Sequence, residues 1–292
     1  AAFTVTIASP VWRRARASWT LSVAGRVVDR KELGLALDPT RPAALDIPIR
    51  FPEVKDGAVM PAMLTVAVTE EGKDKPEALW GHQLWIYPKN AFAGREKWLE
   101  KLKVTLFDPE GKTAKILEAA KVPFDAVKNV DALAEVREAV VVIGEGVSLR
   151  DHRGLAGIMV KLASVGVPVL CLAPKEGEFP FPGSQGNDLP FPSAIVLKQS
   201  EVIRELDKKL DSVAWPPDGT VVASRIQLQG DRAGVMAGVT KDGAGWPWVE
   251  LRFDKRALVI CGFPIIEKWE AGPTPRFLFV RLLEELTKER KE

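Results

Sequence analysis

A chain of 292 residues, 46% hydrophobic and 27% charged, has the length for two domains and enough apolar material for a sizeable core. Its net charge of +2 provides no field for nucleic acid or an anionic membrane surface, and no apolar run approaches the ~20 residues that span a bilayer. Two histidines and two cysteines are a poor stock for a metal centre, so neither a metal nor another cofactor is expected.

The first part, residues 1–91, reads as all-β. The chain opens AAFTVTIASP, which is no signal peptide but is compatible with the residues left after one is removed, and so with a secreted or periplasmic location. Phe3, Val5 and Ile7 alternate with small polar residues, the period of a half-buried strand. Trp19, Leu21 and Val23 repeat that alternation, and Gly25 marks a turn. Ile47–Phe51, Met63–Val68 and Trp80–Tyr87 are further short strands, separated by turn pairs such as Asp38-Pro39, Asp56-Gly57 and Glu71-Gly72. Short strands at such intervals predict a β-sandwich of the immunoglobulin-like kind.

Residues 92–100 read as a linker, and residues 101–292 as a second domain. Val104–Phe107 is a strand, Asp108-Pro109-Glu110-Gly111 a turn, and Thr113–Ala120 a short helix. Phe124–Val130 holds another strand, after which Asp131 caps a helix running through Val136. Ala139–Ile143 is an unbroken, mostly β-branched run that fits a strand buried on both faces. Gly144-Glu145-Gly146 turns the chain sharply, and Ser148 stands three residues before Asp151, the spacing of a capping box. Leu155, Ile158, Met159 and Leu162 then form one apolar helical stripe that ends at Gly166. Val167–Leu172 is a second buried strand, so the segment forms a right-handed strand–helix–strand unit with a crevice at its carboxyl ends.

Lys175–Pro192 is a Pro/Gly-rich loop without periodicity. Ala194–Leu197 is a strand, and Ser200 caps a helix carrying Val202, Ile203, Leu206 and Leu210. Val221–Leu228, Gly234–Val239 and Trp246–Phe253 read as strands with hairpin turns, one at Asp242-Gly243, before the buried strand Ala257–Cys261. Thr274-Pro275 begins the last helix, with Phe279, Leu283 and Leu286 facing inward. Alternating strands and helices predict a parallel α/β sheet.

Three features of this second part carry a family resemblance: VVVIGEGVS as a glycine-rich turn, VPVLCLAP as a strand ending near a cysteine, and late hairpins before a closing strand and helix. Over roughly residues 101–286 the chain resembles the class I glutamine amidotransferase-like fold, which has a flavodoxin-like sheet. The order of a β-sandwich, LWIYPKNAF and such a domain, together with ALVICGFPIIEKWEAGPTPRFLFVRLLEEL, resembles accessory regions of bacterial glycoside hydrolases of the β-galactosidase type. In that setting the domain serves assembly or architecture. The resemblance therefore implies a homo-oligomer or a larger glycoside hydrolase assembly, with carbohydrate as a further partner.

Cys171 is the candidate nucleophile and His152 the candidate base. The family's glycine-flanked elbow is replaced by Leu172-Ala173-Pro174, and its His-x-Glu pair by Cys261-Gly262-Phe263-Pro264 with Glu267, so a core thiol is the plainer reading. Free buried thiols are likewise preferred over a Cys171–Cys261 disulfide. Gly144, Glu145, Gly146 and Ser148 are candidate ligand contacts, because a glycine turn before a helix presents amides to an anion; a plain tight turn is the alternative. Trp246 and Trp248, two apart on one predicted strand, are candidates for stacking a sugar ring, as are Trp80 and Trp85, with core or interface packing as the alternative. Three functions stay open: a non-catalytic assembly module, a cysteine-dependent hydrolase or amidotransferase relative, and a carbohydrate-binding module.

Overall fold

The computed structural model describes residues 2–180, 188–198, 202–210, 223–224, 226–229, 245–254 and 256–288. It divides into two compact units, Ala1–Asn90 and Ala91–Glu292.

The first unit is β-rich. It comprises β1 (Ala2–Ile7), β2 (Arg13–Val23), β3 (Arg26–Leu37), β4 (Ala43–Pro48), β5 (Met60–Glu70) and β6 (Ala78–Ile86). A four-stranded antiparallel sheet runs β3-β2-β5-β6, and β1 pairs antiparallel with β4 in a second sheet. Alternation explains the core. Trp19, Leu21, Leu64 and Val66 of the larger sheet are buried against Leu45 and Ile47 of the smaller, with Phe3, Val5 and Ile7 packed alongside. The β2–β3 hairpin closes through Ala24 and Gly25, both at positive φ (47° and 78°), the geometry that matches strand twist in two-residue loops. β3 has no counterpart in the sequence reading. Its charged run Asp29-Arg30-Lys31-Glu32 hides the alternation, and as an edge strand it buries little.

The second unit is a mixed sheet with helices. Its elements are α1 (Glu96–Leu102), β7 (Val104–Phe107), α2 (Lys112–Ala119), β8 (Asp125–Val127), α3 (Val130–Ala134), β9 (Val140–Ile143), α4 (Leu155–Ser164), β10 (Val169–Leu172), β11 (Glu178–Pro180), β12 (Ala194–Lys198), α5 (Val202–Leu206), β13 (Gln227–Gln229), β14 (Trp248–Arg252), β15 (Ala257–Cys261) and α6 (Pro273–Thr287). The seven-stranded sheet runs β12-β14-β15-β10-β9-β7-β8. Its members β8, β7, β9, β10 and β15 are parallel, while β14 runs antiparallel to both of its neighbours, β15 and β12. β11 pairs in parallel with β13. Every side chain of β9, β10 and β15 is buried, as unbroken apolar strands require when both faces are covered.

Several boundaries differ from the sequence expectations. Residues 96–100 of the stretch read as a linker belong to α1. The helix after β9 begins at Leu155 and not near Ser148, because Ser148–Gly154 first makes turns; Gly154, at φ 84°, is its N-cap. α3 is capped by Asn129, whose side chain accepts from the Ala132 amide at 2.8 Å, instead of by Asp131. The last helix starts at Pro273. Ser200, Gly234–Val239 and Asp242-Gly243 lie outside the described residues.

Gly262 follows β15 where two other chain segments press on it. A Cβ there would stand 2.2 Å from the Ser224 carbonyl oxygen and 2.8 Å from that of Pro247. Gly262→Ala is expected to lower unfolding free energy by about 1–3 kcal/mol or more, since only backbone movement relieves the overlap. Gly34→Ala, with open space around the new methyl, is expected to leave it near wild type, both variants being read by urea denaturation.

Candidate functional site

The parallel strands aim their carboxyl ends at one crevice, and the switch in strand order between β7 and β9 lies there. Of the candidates, Gly144, Glu145, Gly146 and Ser148 follow the carboxyl end of β9, and Cys171 lies within β10 beside it.

Gly144 leaves β9 with its amide donating to the Phe107 carbonyl at 2.9 Å, extending the pairing with β7. It has to be glycine: a Cβ would lie 2.8 Å from Asp108 Oδ1 and 2.9 Å from its Cγ. The Asp108 carboxylate is held close because Oδ2 accepts from the Ala114 amide at 2.8 Å in the first turn of α2. The next three amides are each taken. Glu145 N–H donates to Thr113 Oγ1 at 2.9 Å, Gly146 N–H to the Ala173 carbonyl at 3.0 Å, and Val147 N–H to Gly144 at 3.4 Å. An anion-binding turn needs those donors pointing at a vacant position; here one closes the turn and the other two are taken by α2 and by the residue after β10.

The Glu145 side chain reaches across to the loop after β15. Its two oxygens accept from consecutive amides, Ile266 at 2.7 Å and Glu267 at 2.8 Å. Burial raises its carboxyl above the ordinary 4.5, outweighing the opposite pull of these two amides. Ser148 Oγ accepts from the Asp151 amide at 3.1 Å, as the capping-box spacing suggests, although it closes a turn and not a helix. The chain after β10 is laced to the same loop: Leu149 donates to the Glu176 carbonyl at 2.7 Å, Lys175 to that of Val147 at 3.2 Å, and Arg150 pairs with the Glu176 carboxylate.

Cys171 lies in β10 between Ile143 of β9 and Ile260 of β15, and is fully buried. Burial, with Cys261 adding to it, pushes its thiol far above the ordinary 9.0. Cys261 is pushed up to about 12, again chiefly by burial. Both thiols are free. Strand alternation explains this: Cys171 belongs to the core that includes α4 and Ile260, whereas Cys261, next to Ile260 in β15, faces the other side. The His152 ring packs edge-on against Phe107, centroids 5.1 Å apart at 87°. Among the described residues it makes no hydrogen bond with Cys171.

The expected pairing of Trp246 and Trp248 on one face does not hold. Trp246 precedes β14, forms a bridge with Ile226, and packs in the core with Val249 and Leu251. Trp248 starts the regular strand and turns to the opposite side. There it lines a cleft of about 340 Å³ with Glu250, Arg252, Val259 and Leu282. Both indoles are nine-tenths buried or more. Trp80 and Trp85 also fall on opposite faces of β6, being five apart, and Trp80 stacks instead on His82.

Sequence reasoning missed Asp108 and Thr113 as parts of this crevice, and Gly262 as its tightest backbone contact. Asp-Pro-x-Gly before a helix was the available sign for Asp108, since an acid ahead of a first turn is placed to take an orphan amide. Among the described residues no group of three or more His, Cys, Asp or Glu is placed to hold a metal, and no helix is long and apolar enough to cross a membrane.

Glu145→Ala orphans the Ile266 and Glu267 amides and is expected to cost about 1–3 kcal/mol at neutral pH in chemical denaturation. Its folded carboxyl sits above the unfolded value, so its titration contributes stability that is full below 4.5 and declines as pH rises through the higher folded value. The gap between wild type and variant is therefore expected to be widest in acid and to narrow toward neutrality.

No protein-family model matches the chain, and no curated protein does so either. Among solved structures it is similar to a calcium-binding mutant of beta-glucuronidase 2 from Bacteroides uniformis, with 8% identity and a TM-score of 0.24. The match covers 63% of this chain and 22% of that one, so it spans under a quarter of that protein's length. At that TM-score the likeness carries no argument about fold or function.

Proposed function

We propose that the chain is a non-catalytic interaction or assembly module, in which a flavodoxin-like domain of the class I glutamine amidotransferase type follows an immunoglobulin-like β-sandwich. The fold assignment is supported by strand order. Taken in chain order, β8-β7-β9-β10-β15 reads 2-1-3-4-5, the flavodoxin arrangement.

One observation carries the functional reading: the candidate contacts that follow β9 are engaged within the chain, although Asp108 Oδ1 beside Gly144 is buried with no hydrogen-bond partner among the described residues. The three amides after Gly144, the Glu145 carboxylate and the Ser148 hydroxyl oxygen all have partners within the chain. The rival reading asks Cys171 to become a thiolate beside a base, with donors for an oxyanion. A thiol inside a doubly covered strand, with its pKa raised by burial, is the reverse of that arrangement. The link to carbohydrate processing and to a larger assembly rests on the sequence resemblance of the whole arrangement, a β-sandwich leading through LWIYPKNAF into the second domain, and of residues 257–286.

The thiols test the choice. Neither Cys171 nor Cys261 is expected to react with a disulfide reagent at pH 8 in the native protein, and both are expected to react in denaturant. A fast-reacting native thiol abolished by Cys171→Ala would overturn the assembly reading in favour of the hydrolase. Both folded thiols sit above 9.0, so the stability they contribute is full below that pH and lost above it. A Cys171→Ala/Cys261→Ala variant is expected to lose stability less steeply in alkali than wild type.

A carbohydrate-binding module is a second reading, favoured by the cleft beside Trp248, where an indole edge and the Glu250–Arg252 pair adjoin apolar Val259 and Leu282. Calorimetry against neutral oligosaccharides should give saturable heat under that reading; a flat response across a glycan panel removes it.

A further inference from the structure

The four-stranded sheet of the first unit has two edges of opposite character. β3, at one edge, carries Arg26, Asp29, Arg30, Lys31 and Glu32. β6, at the other, reads ALWGHQLWI and has no Asp, Glu, Lys or Arg over its 9 residues. An edge strand offers a row of unpaired amides and carbonyls to any other strand, and charges are a usual guard against that. One edge of this sheet is guarded and the other is not.

The unguarded edge also displays apolar surface. Leu79 is 71% exposed and Trp80 40%. Trp80 lies across from buried Val66 and so points to the core face, but at its rim, beyond the residues packed against the smaller sheet. Its indole lies nearly parallel to the His82 ring, centroids 5.6 Å apart at 8°. Among the described residues β6 pairs only with β5.

Resting on the assembly reading above, we infer that β6 is a strand-addition interface occupied by β6 of a second copy, antiparallel, about a two-fold axis at Gly81. The sequence fits its own copy in that register. Trp80 meets His82 of the partner subunit on the core face, and Leu79 meets Gln83 of the partner subunit on the outer face, with no side chain at the axis to hold the strands apart. The absence of charge along β6 makes the pairing free of like-charge contacts. A two-fold between Arg30 and Lys31 of β3 would set Arg30 against Lys31 of the partner subunit, a like-charge contact made twice, so it is β6 that closes the dimer.

Light scattering on the full chain tests this, with a mass of twice 32.0 kDa expected for wild type at high concentration. Leu79→Lys/Trp80→Lys, at positions already exposed, should return the mass to 32.0 kDa with an unchanged melting temperature. Gly81→Cys supplies an independent reading of register, since a Cβ there meets only Met63 Sδ at an ordinary 3.6 Å. Under mild oxidation it should form a covalent dimer, while Gly34→Cys on β3, with open space around it, should not. A monomeric wild type at every concentration overturns the interface. So does a dimer that ignores both substitutions or crosslinks equally through Gly34→Cys; that result places assembly on another surface and leaves the assembly reading standing. Failure of the assembly reading itself is read separately, from the native reactivity of Cys171.

Discussion

The second unit depends on strands that have no solvent side. All four residues of β9 and all four of β10 are buried, so every backbone donor and acceptor in them has to be paired within the sheet. That demand fixes the neighbours: β7 and β10 flank β9, while β9 and β15 flank β10. It also fixes how the chain leaves. A strand packed on both faces can exit only between its neighbours' loops, where side chains compete for space. Gly144 yields that space to the Asp108 carboxylate, and Gly262 yields it to the Ser224 and Pro247 carbonyls. Glu145 then spans from the exit of β9 to the loop after β15, so that one carboxylate ties two exits together.

Local features of this arrangement are readable from the sequence, and non-local ones are not. The runs at 139–143 and 257–261 are apolar enough to identify doubly buried strands, and Gly166, at φ 96°, ends α4 as its position suggests. Helix starts were less legible. Asn129 and Asp131 are both good caps, and only the hydrogen bond to Ala132 decides between them. Ser148 carries a capping signature, seven residues before α4 begins, but spends it on a turn, because the chain must first clear the loop after β10. Glu145 could be placed near the crevice from its neighbours, but its partners lie 121 and 122 residues further along the chain, beyond any periodicity or spacing rule. The face of Trp246 was misread for a related reason: alternation holds only inside a regular strand, and β14 begins two residues later.

The same physics separates scaffold from chemistry in the crevice. Amides, a carboxylate and a hydroxyl at the carboxyl end of a parallel sheet are the usual raw material of a binding site. Here the amides of Glu145, Gly146 and Val147, the Glu145 carboxylate and the Ser148 hydroxyl are taken by partners within the chain, while Asp108 Oδ1 is left without one among the described residues. The cysteines follow the same logic: strands without a solvent side favour the neutral thiol, and burial raises both groups.

In the first unit, charge on β3 costs nothing in folding, since its polar side chains point to water or to the sheet rim. The exposed half of β6 is no different in this respect. Leu79, Gly81 and Gln83 are exposed and share the outer face, and a lysine or glutamate at any of them would be solvated. The core of the unit, built on Trp19, Leu21, Leu64 and Ile47, draws nothing from them. Burial within this unit therefore does not explain why β6 lacks charge while β3 is full of it. The proposed contact with another strand would, because a charge on that edge would have to be desolvated or matched whenever the edge was paired.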